Sequence, residues 1–122
     1  MLGVIVFAHG SRDPLWRSPV EAIAQAIAAA DPTVHTRCAY LELCEPDLPS
    51  AASDLVAHGV RRIRVMPLFF GMGKHAREDL PVLMQQLQQE YPQVVFERMA
   101  TVGEDARLTA LLAGMALEGN TL

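Results

Sequence analysis

Basic charge is scarce in this chain of 122 residues, where ten Lys and Arg stand against fourteen Asp and Glu, a net charge of −4. A general nucleic-acid binder needs a basic face to displace counterions from phosphates, so that class is excluded and only a local basic pocket remains open. Cysteine is also scarce. The two present, Cys38 and Cys44, form neither a CxxC pair nor a disulfide framework, and read as buried reduced thiols. Polar low-complexity tracts are missing. With 51% hydrophobic and 20% charged residues the composition is that of an ordinary globular domain. The opening Met1-Leu2-Gly3-Val4 has no basic residue ahead of its apolar run, and that run is too short to span a bilayer. A soluble cytoplasmic protein without a membrane partner is expected.

Two nucleotide and hydrolase motifs are absent as well. Gly73-Lys74 resembles the end of a phosphate-binding loop, but the residue five before Gly73 is Leu68 and the residue after Lys74 is His75, so no GxxxxGK(S/T) exists and no ATP or other nucleotide is expected. Around Ser11 the flanking glycine positions of a GxSxG elbow hold His9 and Asp13. Ser11 therefore reads as a turn or helix-cap residue, although the Gly10-Ser11 turn can also present backbone N–H groups to an anion.

What the chain does have is a continuous apolar run, Val4-Ile5-Val6-Phe7-Ala8, that stops abruptly at His9-Gly10-Ser11-Arg12-Asp13. Short, β-branched and flanked by glycines, it predicts a strand buried on both faces, as in a parallel sheet. Ser18-Pro19 starts a helix whose apolar face is Val20, Ile23, Ala24, Ile27 and Ala28, closed by Asp31-Pro32. Residues 34–40 alternate partly, as expected near a sheet edge. A second helix follows over 46–58 with Gly59 as its C-terminal glycine. Ile63 to Phe70 is a third strand with Pro67 near its end, because proline cannot donate to a ladder.

Gly71-Met72-Gly73 and the charged residues 74–79 read as a loop, and Leu80-Pro81 as the entry to a third helix ended by Pro92. A fourth strand over 94–99 and a fourth helix over 105–117, with Leu108, Leu111, Leu112 and Met115 facing the core, complete four βα units. At this length one domain, residues 1–122, is expected. Strict βα alternation specifies a three-layer α/β/α sandwich on a four-stranded parallel sheet, and a flavodoxin-like strand order 2-1-3-4 opens a crevice above the carboxyl ends of the central strands.

That topology collects three distant residues. His9 ends the first strand, Glu42 ends the second and His75 follows the third, each 33 residues from the last. Neighbouring strands lie about 4.8 Å apart, so three adjacent strand ends can converge above the sheet. Two imidazoles and a carboxylate suit a first-row divalent cation with positions left open for a substrate. Either histidine taken alone is more often a hydrogen-bonded structural residue than a ligand, and only the three at corresponding positions favour the metal; His35 and His58 are assigned the structural role.

Taken together, Ala8-His9-Gly10-Ser11-Arg12-Asp13-Pro14, Leu41-Glu42-Leu43 with Glu45-Pro46, Val65-Met66-Pro67-Leu68-Phe69, Gly73-Lys74-His75 and Asp79-Leu80-Pro81 resemble the CbiX-type sirohydrochlorin chelatases over roughly residues 3 to 100. The resemblance implies a chelatase-like fold and ATP-independent insertion of a divalent metal, Co²⁺, Fe²⁺ or Ni²⁺, into the tetrapyrrole sirohydrochlorin, for cobalamin, sirohaem or a nickel tetrapyrrole. It also implies the small single-lobe form, working as a homodimer. His9 and His75 match the family's metal histidines and Glu42 the acidic residue near them. These three would hold the ion or take the pyrrole protons.

A macrocycle fringed with carboxylates calls for cations, and Arg12, Lys74 and Arg77 lie in the right loops, unless Asp13, Glu78 and Asp79 neutralise them. Phe69, Phe70 and Met72 offer an apolar floor, or else pack in the core or at a dimer interface. Two rivals stand beside this reading. One is a metal carrier that uses the same His/Glu set without tetrapyrrole chemistry; the other is a phosphoryl-transfer enzyme with His9 as nucleophile and Arg12 as phosphate clamp.

Overall fold

The computed structural model describes residues 1–119, so the last three residues of the domain expected over 1–122 lie outside the described residues. Among the described residues, four strands alternate with four helices: β1 Leu2–Ala8, α1 Ser18–Ala30, β2 His35–Tyr40, α2 Leu48–Ala57, β3 Arg62–Pro67, α3 Lys74–Glu90, β4 Val95–Arg98 and α4 Ala106–Glu118. Short 3-10 turns at Pro14–Arg17 and Val102–Glu104 precede α1 and α4. The sheet is parallel throughout, in the order β2-β1-β3-β4. The parallel layered architecture is the one the alternation specifies, and the strand order is the flavodoxin-like 2-1-3-4 expected for it.

The apolar run of β1 explains why it is central. Ile5 and Phe7 point to one side, into a cluster with Leu48, Leu55, Ile63, Leu80 and Leu87 beneath α2 and α3. Val6 and Ala8 point to the other, against Val20 and Ala24 of α1. Ile5, Val6 and Phe7 are each fully buried, and removing such a side chain from water is worth about 1.5–3 kcal/mol. A strand with both faces covered has no solvent side to alternate toward.

Two elements differ from the sequence expectation. Helix α3 begins at Lys74, not at Leu80, and carries Pro81 inside it. An interior proline costs about 3 kcal/mol through its lost N–H and ring clash. Full burial of Leu80 and near-full burial of Leu87 against the sheet offset that cost. His75 consequently sits in the first turn of a helix and not in a loop.

Helix α4 forms as expected, but nothing in it is buried. Leu108 is half-buried, and Leu111, Leu112 and Met115 face outward where core contacts are expected. β4 is only four residues long, and a cavity of about 340 Å³ separates Leu108 and Leu111 from Ile23 of α1 and Met66 and Leu68. Strand ends otherwise shift by one to three residues: β3 stops at Pro67, three short of Phe70, although the Leu68 N–H still donates to the Phe7 carbonyl at 2.7 Å. Cys38 and Cys44 are free and half-buried. Partial burial, with Glu21 nearby, pushes the Cys38 thiol's pKa up.

Candidate metal centre

The β1–β2 ladder does not end where the strands do. Beyond Ala8 and Tyr40, the Leu41 N–H donates to the Ala8 carbonyl at 2.9 Å and the Glu42 N–H to the His9 carbonyl at 3.0 Å. Two extra rungs therefore carry the register past the sheet and set His9 beside Glu42. Gly10 makes the approach feasible. Its φ is 106°, and a Cβ built there would stand 1.8 Å from the Glu42 carbonyl oxygen. The Tyr40 N–H then donates to the Pro46 carbonyl at 2.9 Å, folding residues 41–46 back along the outer side of β2.

The resulting geometry is specific. His9 Nδ1 lies 3.2 Å from the Gly10 carbonyl; a carbonyl only accepts, so Nδ1–H donates and the neutral ring presents its lone pair on Nε2. That Nε2 faces Glu42 Oε1 at 3.2 Å, with both side chains about half-exposed. Two lone pairs this close require a cation between them, either a proton or a metal. Two donors each about 2.1 Å from one ion stand about 2.9–3.4 Å apart, so the pair has the bite of a chelate. The Nδ1–H bond to a backbone carbonyl is also the usual way a metal-binding imidazole is oriented.

His75 is exposed in the first turn of α3. Among the described residues no three His, Cys, Asp or Glu side chains come close enough to hold a metal ion, so the pair is assembled and His75 stands apart from it. Ser11 is a turn residue, its hydroxyl accepting from the Asp13 N–H at 3.0 Å, and Asp13 caps the following 3-10 turn through the Leu15 N–H. Arg12, Lys74 and Arg77 are exposed, and among the described residues none of them is in an ion pair. Their acidic neighbours leave them free to meet an anionic ligand.

Of the apolar candidates, Met72 and Phe69 pack against the core cluster, Phe69 edge-on to Phe7 at 6.0 Å, while Phe70 is largely in solvent. His58 donates from Nδ1 to the Asp54 carbonyl at 2.8 Å and lies 6.4 Å from the His35 ring, in keeping with structural roles for both. No sequence signal marks Leu43, beside Glu42, whose φ of 70° is the one positive value outside glycine among the described residues. Among the described residues, no helix is long and apolar enough to cross a membrane.

Comparison with known proteins points the same way. A Methanopyrus kandleri protein named sirohydrochlorin cobaltochelatase is 33% identical over 84 residues, 69% of this chain and 59% of the relative, so the match spans well under two-thirds of that protein. A crystal structure described as a putative cobalamin (vitamin B12) biosynthesis CbiX protein from Marinobacter aquaeolei superposes with a TM-score of 0.82 at 29% identity, covering 97% of this chain and 96% of the other. The sirohydrochlorin chelatase SirB from Bacillus subtilis subspecies spizizenii, crystallised with cobalt, matches at a TM-score of 0.79 and 22% identity, which shows a shared fold; this chain covers half of it. The CbiX family model aligns with residues 3–118, a span that contains all of the sheet but Leu2, the His9–Glu42 pair and His75, and the chain belongs to the CbiX family.

Proposed function

We propose that this protein inserts a divalent metal ion, Co²⁺ or Fe²⁺, into sirohydrochlorin without ATP, in the cytoplasm, its lobe-sized domain pairing with a second copy as a homodimer. The observation that carries this reading is the open chelate of His9 Nε2 and Glu42 Oε1, 3.2 Å apart, in a chain of the CbiX family. Insertion requires that the ion shed water while two pyrrole N–H protons leave. A two-donor chelate leaves most coordination positions to water and then to the macrocycle nitrogens, so the ion can be handed over without being caged.

In this mechanism His9 and Glu42 hold the incoming ion, and His75 approaches from the first turn of α3 as a third ligand or as the acceptor of a pyrrole proton. Arg12, Lys74 and Arg77 receive the substrate's carboxylates, and the Gly10-Ser11 turn offers backbone donors to another. Nickel is chemically admissible at the same donors. A carrier that only delivers metal would enclose its ion, and the half-exposed pair argues against that role.

The test is direct. Purified protein, sirohydrochlorin and Co²⁺ or Fe²⁺, mixed without oxygen or ATP, should change the macrocycle's visible absorbance faster than the same mixture without protein. No acceleration with Co²⁺, Fe²⁺ or Ni²⁺ would sink the reading. Tight metal binding without that acceleration would favour the carrier.

A further inference from the structure

We propose that Leu15, Leu43 and Phe70 form an apolar rim that seats the flat face of the macrocycle over the His9–Glu42 pair. The proposal rests on the chelatase reading and adds to it the residues that recognise the ring body. Each of the three follows a different strand, β1, β2 and β3, which are neighbours in the sheet, and each lies in the connection that leaves that strand's carboxyl end, Leu15 within the 3-10 turn Pro14–Arg17. Their exposures are 81%, 47% and 74%, so none is held by the core. Three large apolar side chains left in water, on the connections that leave the same end of three neighbouring strands, have no internal reason to be there.

Their backbones, by contrast, are pinned. The Leu15 N–H donates to Asp13 Oδ1 at 3.0 Å, and its carbonyl accepts from the Ser18 N–H. Leu43 follows the residue locked to the His9 carbonyl, and holds a φ of 70°. That left-handed conformation is unfavourable for a residue with a Cβ, and a leucine gains nothing locally in return. At Phe70 the chain is fixed by the Gly103 N–H and the Thr101 hydroxyl, which both donate to the Phe69 carbonyl, at 2.8 and 2.7 Å. A Cβ on Gly103 would stand 1.9 Å from the Phe70 carbonyl oxygen, so this contact is closed from the other side too.

Fixed backbone with solvent-facing apolar side chains is the signature of a preorganised binding surface, since little freedom is left to lose when a ligand arrives. The occupant is defined by what surrounds the rim. A conjugated ring with an apolar face and carboxylates on its periphery matches these apolar side chains together with Arg12, Lys74 and Arg77 of the same connections, which are in no ion pair among the described residues.

The experiment uses the single tryptophan, Trp16, next to Leu15, as the reporter. Metal-free sirohydrochlorin is titrated into the wild type and into Leu15→Ser, Leu43→Gly and Phe70→Ser, following fluorescence quenching, with thermal transitions and sedimentation recorded for each. Each variant should weaken binding about fivefold and the triple variant about a hundredfold, while the metal affinity stays at the wild-type value. Leu43→Gly should also melt at or above the wild-type temperature, because glycine relieves the left-handed strain. Wild-type affinity in the triple variant overturns the rim while leaving the chelatase reading intact. A wild type that neither binds nor metallates the macrocycle overturns both. If the variants keep their affinity and lose only self-association, the three side chains belong to an interface between copies and the rim is refuted.

Discussion

Replacing Gly10 with alanine tests how the metal pair is held. An ideal Cβ there stands 1.8 Å from the Glu42 carbonyl oxygen, and carbon contacts below 3.0 Å are essentially never seen, so backbone and backbone must separate by more than about 1 Å. The φ of 106° adds strain of about 1–2 kcal/mol for a residue with a side chain. The Glu42 N–H to His9 carbonyl bond lies across the gap that must open, and losing it costs a further 0.5–1.5 kcal/mol or so. A destabilisation of about 2–3 kcal/mol results, lowering Tm by about 10 °C in a domain of this size.

The local effect should exceed the global one. Moving Glu42 spoils the 3.2 Å bite, and Co²⁺ affinity should fall about 10- to 100-fold at a temperature where the variant is still folded. Gly71→Ala is the control, because a Cβ at Gly71 meets nothing within 4 Å. Circular dichroism melts and calorimetric Co²⁺ titrations of the two variants decide the matter. A Gly10→Ala protein with wild-type Tm and wild-type Co²⁺ affinity would refute the idea that close approach at Gly10 builds the site.

Other consequences are as direct. His9→Ala and Glu42→Gln should each lower Co²⁺ affinity at least tenfold while moving Tm by no more than a degree or two, since both side chains are half-exposed; His75→Ala should reduce insertion rate with a smaller effect on metal binding in the absence of the macrocycle. A large loss of Tm in His9→Ala would instead mark it as a structural residue. Leu80→Ala, at a fully buried position, should cost about 2–5 kcal/mol in chemical denaturation without changing metal affinity in the folded protein.

The N-cap of α4 gives a pH prediction. Side-chain and backbone hydrogen bonds from Arg107 hold the Asp105 carboxyl down to about 2, below its ordinary 3.8. A depressed folded value means that the unfolded chain takes up the proton first, so the contribution is present above about pH 4 and fades as pH falls toward 2. The Tm difference between wild type and Asp105→Asn should therefore shrink across that window, and a constant difference would count against the assignment.

The fold was legible in the sequence because β1 and its partners carry unambiguous signals. A β-branched run bounded by glycines, a proline that can only end a strand, and helices of regular spacing leave little freedom of topology. What was not legible has identifiable causes. Periodicity says which residues share a helix face, not whether another element covers that face, so the apolar stripe of α4 read as core although Leu111 and Met115 are exposed. The start of α3 was hidden because Lys74 to Asp79 has few apolar residues and Pro81 resembles a first-turn proline, whereas Ala76 and Leu80 are buried on the inner face.

The site divides in the same way. His9 and Glu42 could be paired from chain order, since adjacent parallel strands bring their ends together. The left-handed Leu43 could not, because leucine carries no turn signal and only the backbone reveals it.

The fold-back of residues 41–46 has one more consequence, for how copies of the chain keep apart. β2 is an edge strand, and an open edge is a template on which a stray strand can pair and start aggregation. The Tyr40 N–H, already bonded to the Pro46 carbonyl, is withdrawn from that role at the strand's carboxyl end, and Arg37, bound to Asp54 at 2.6 Å, puts a charge on the remainder. The loop that sets Glu42 beside His9 is thus also the guard on the sheet's outer edge. A change that shortens or straightens it would expose the protein to self-templating at the same moment that it dismantles the site.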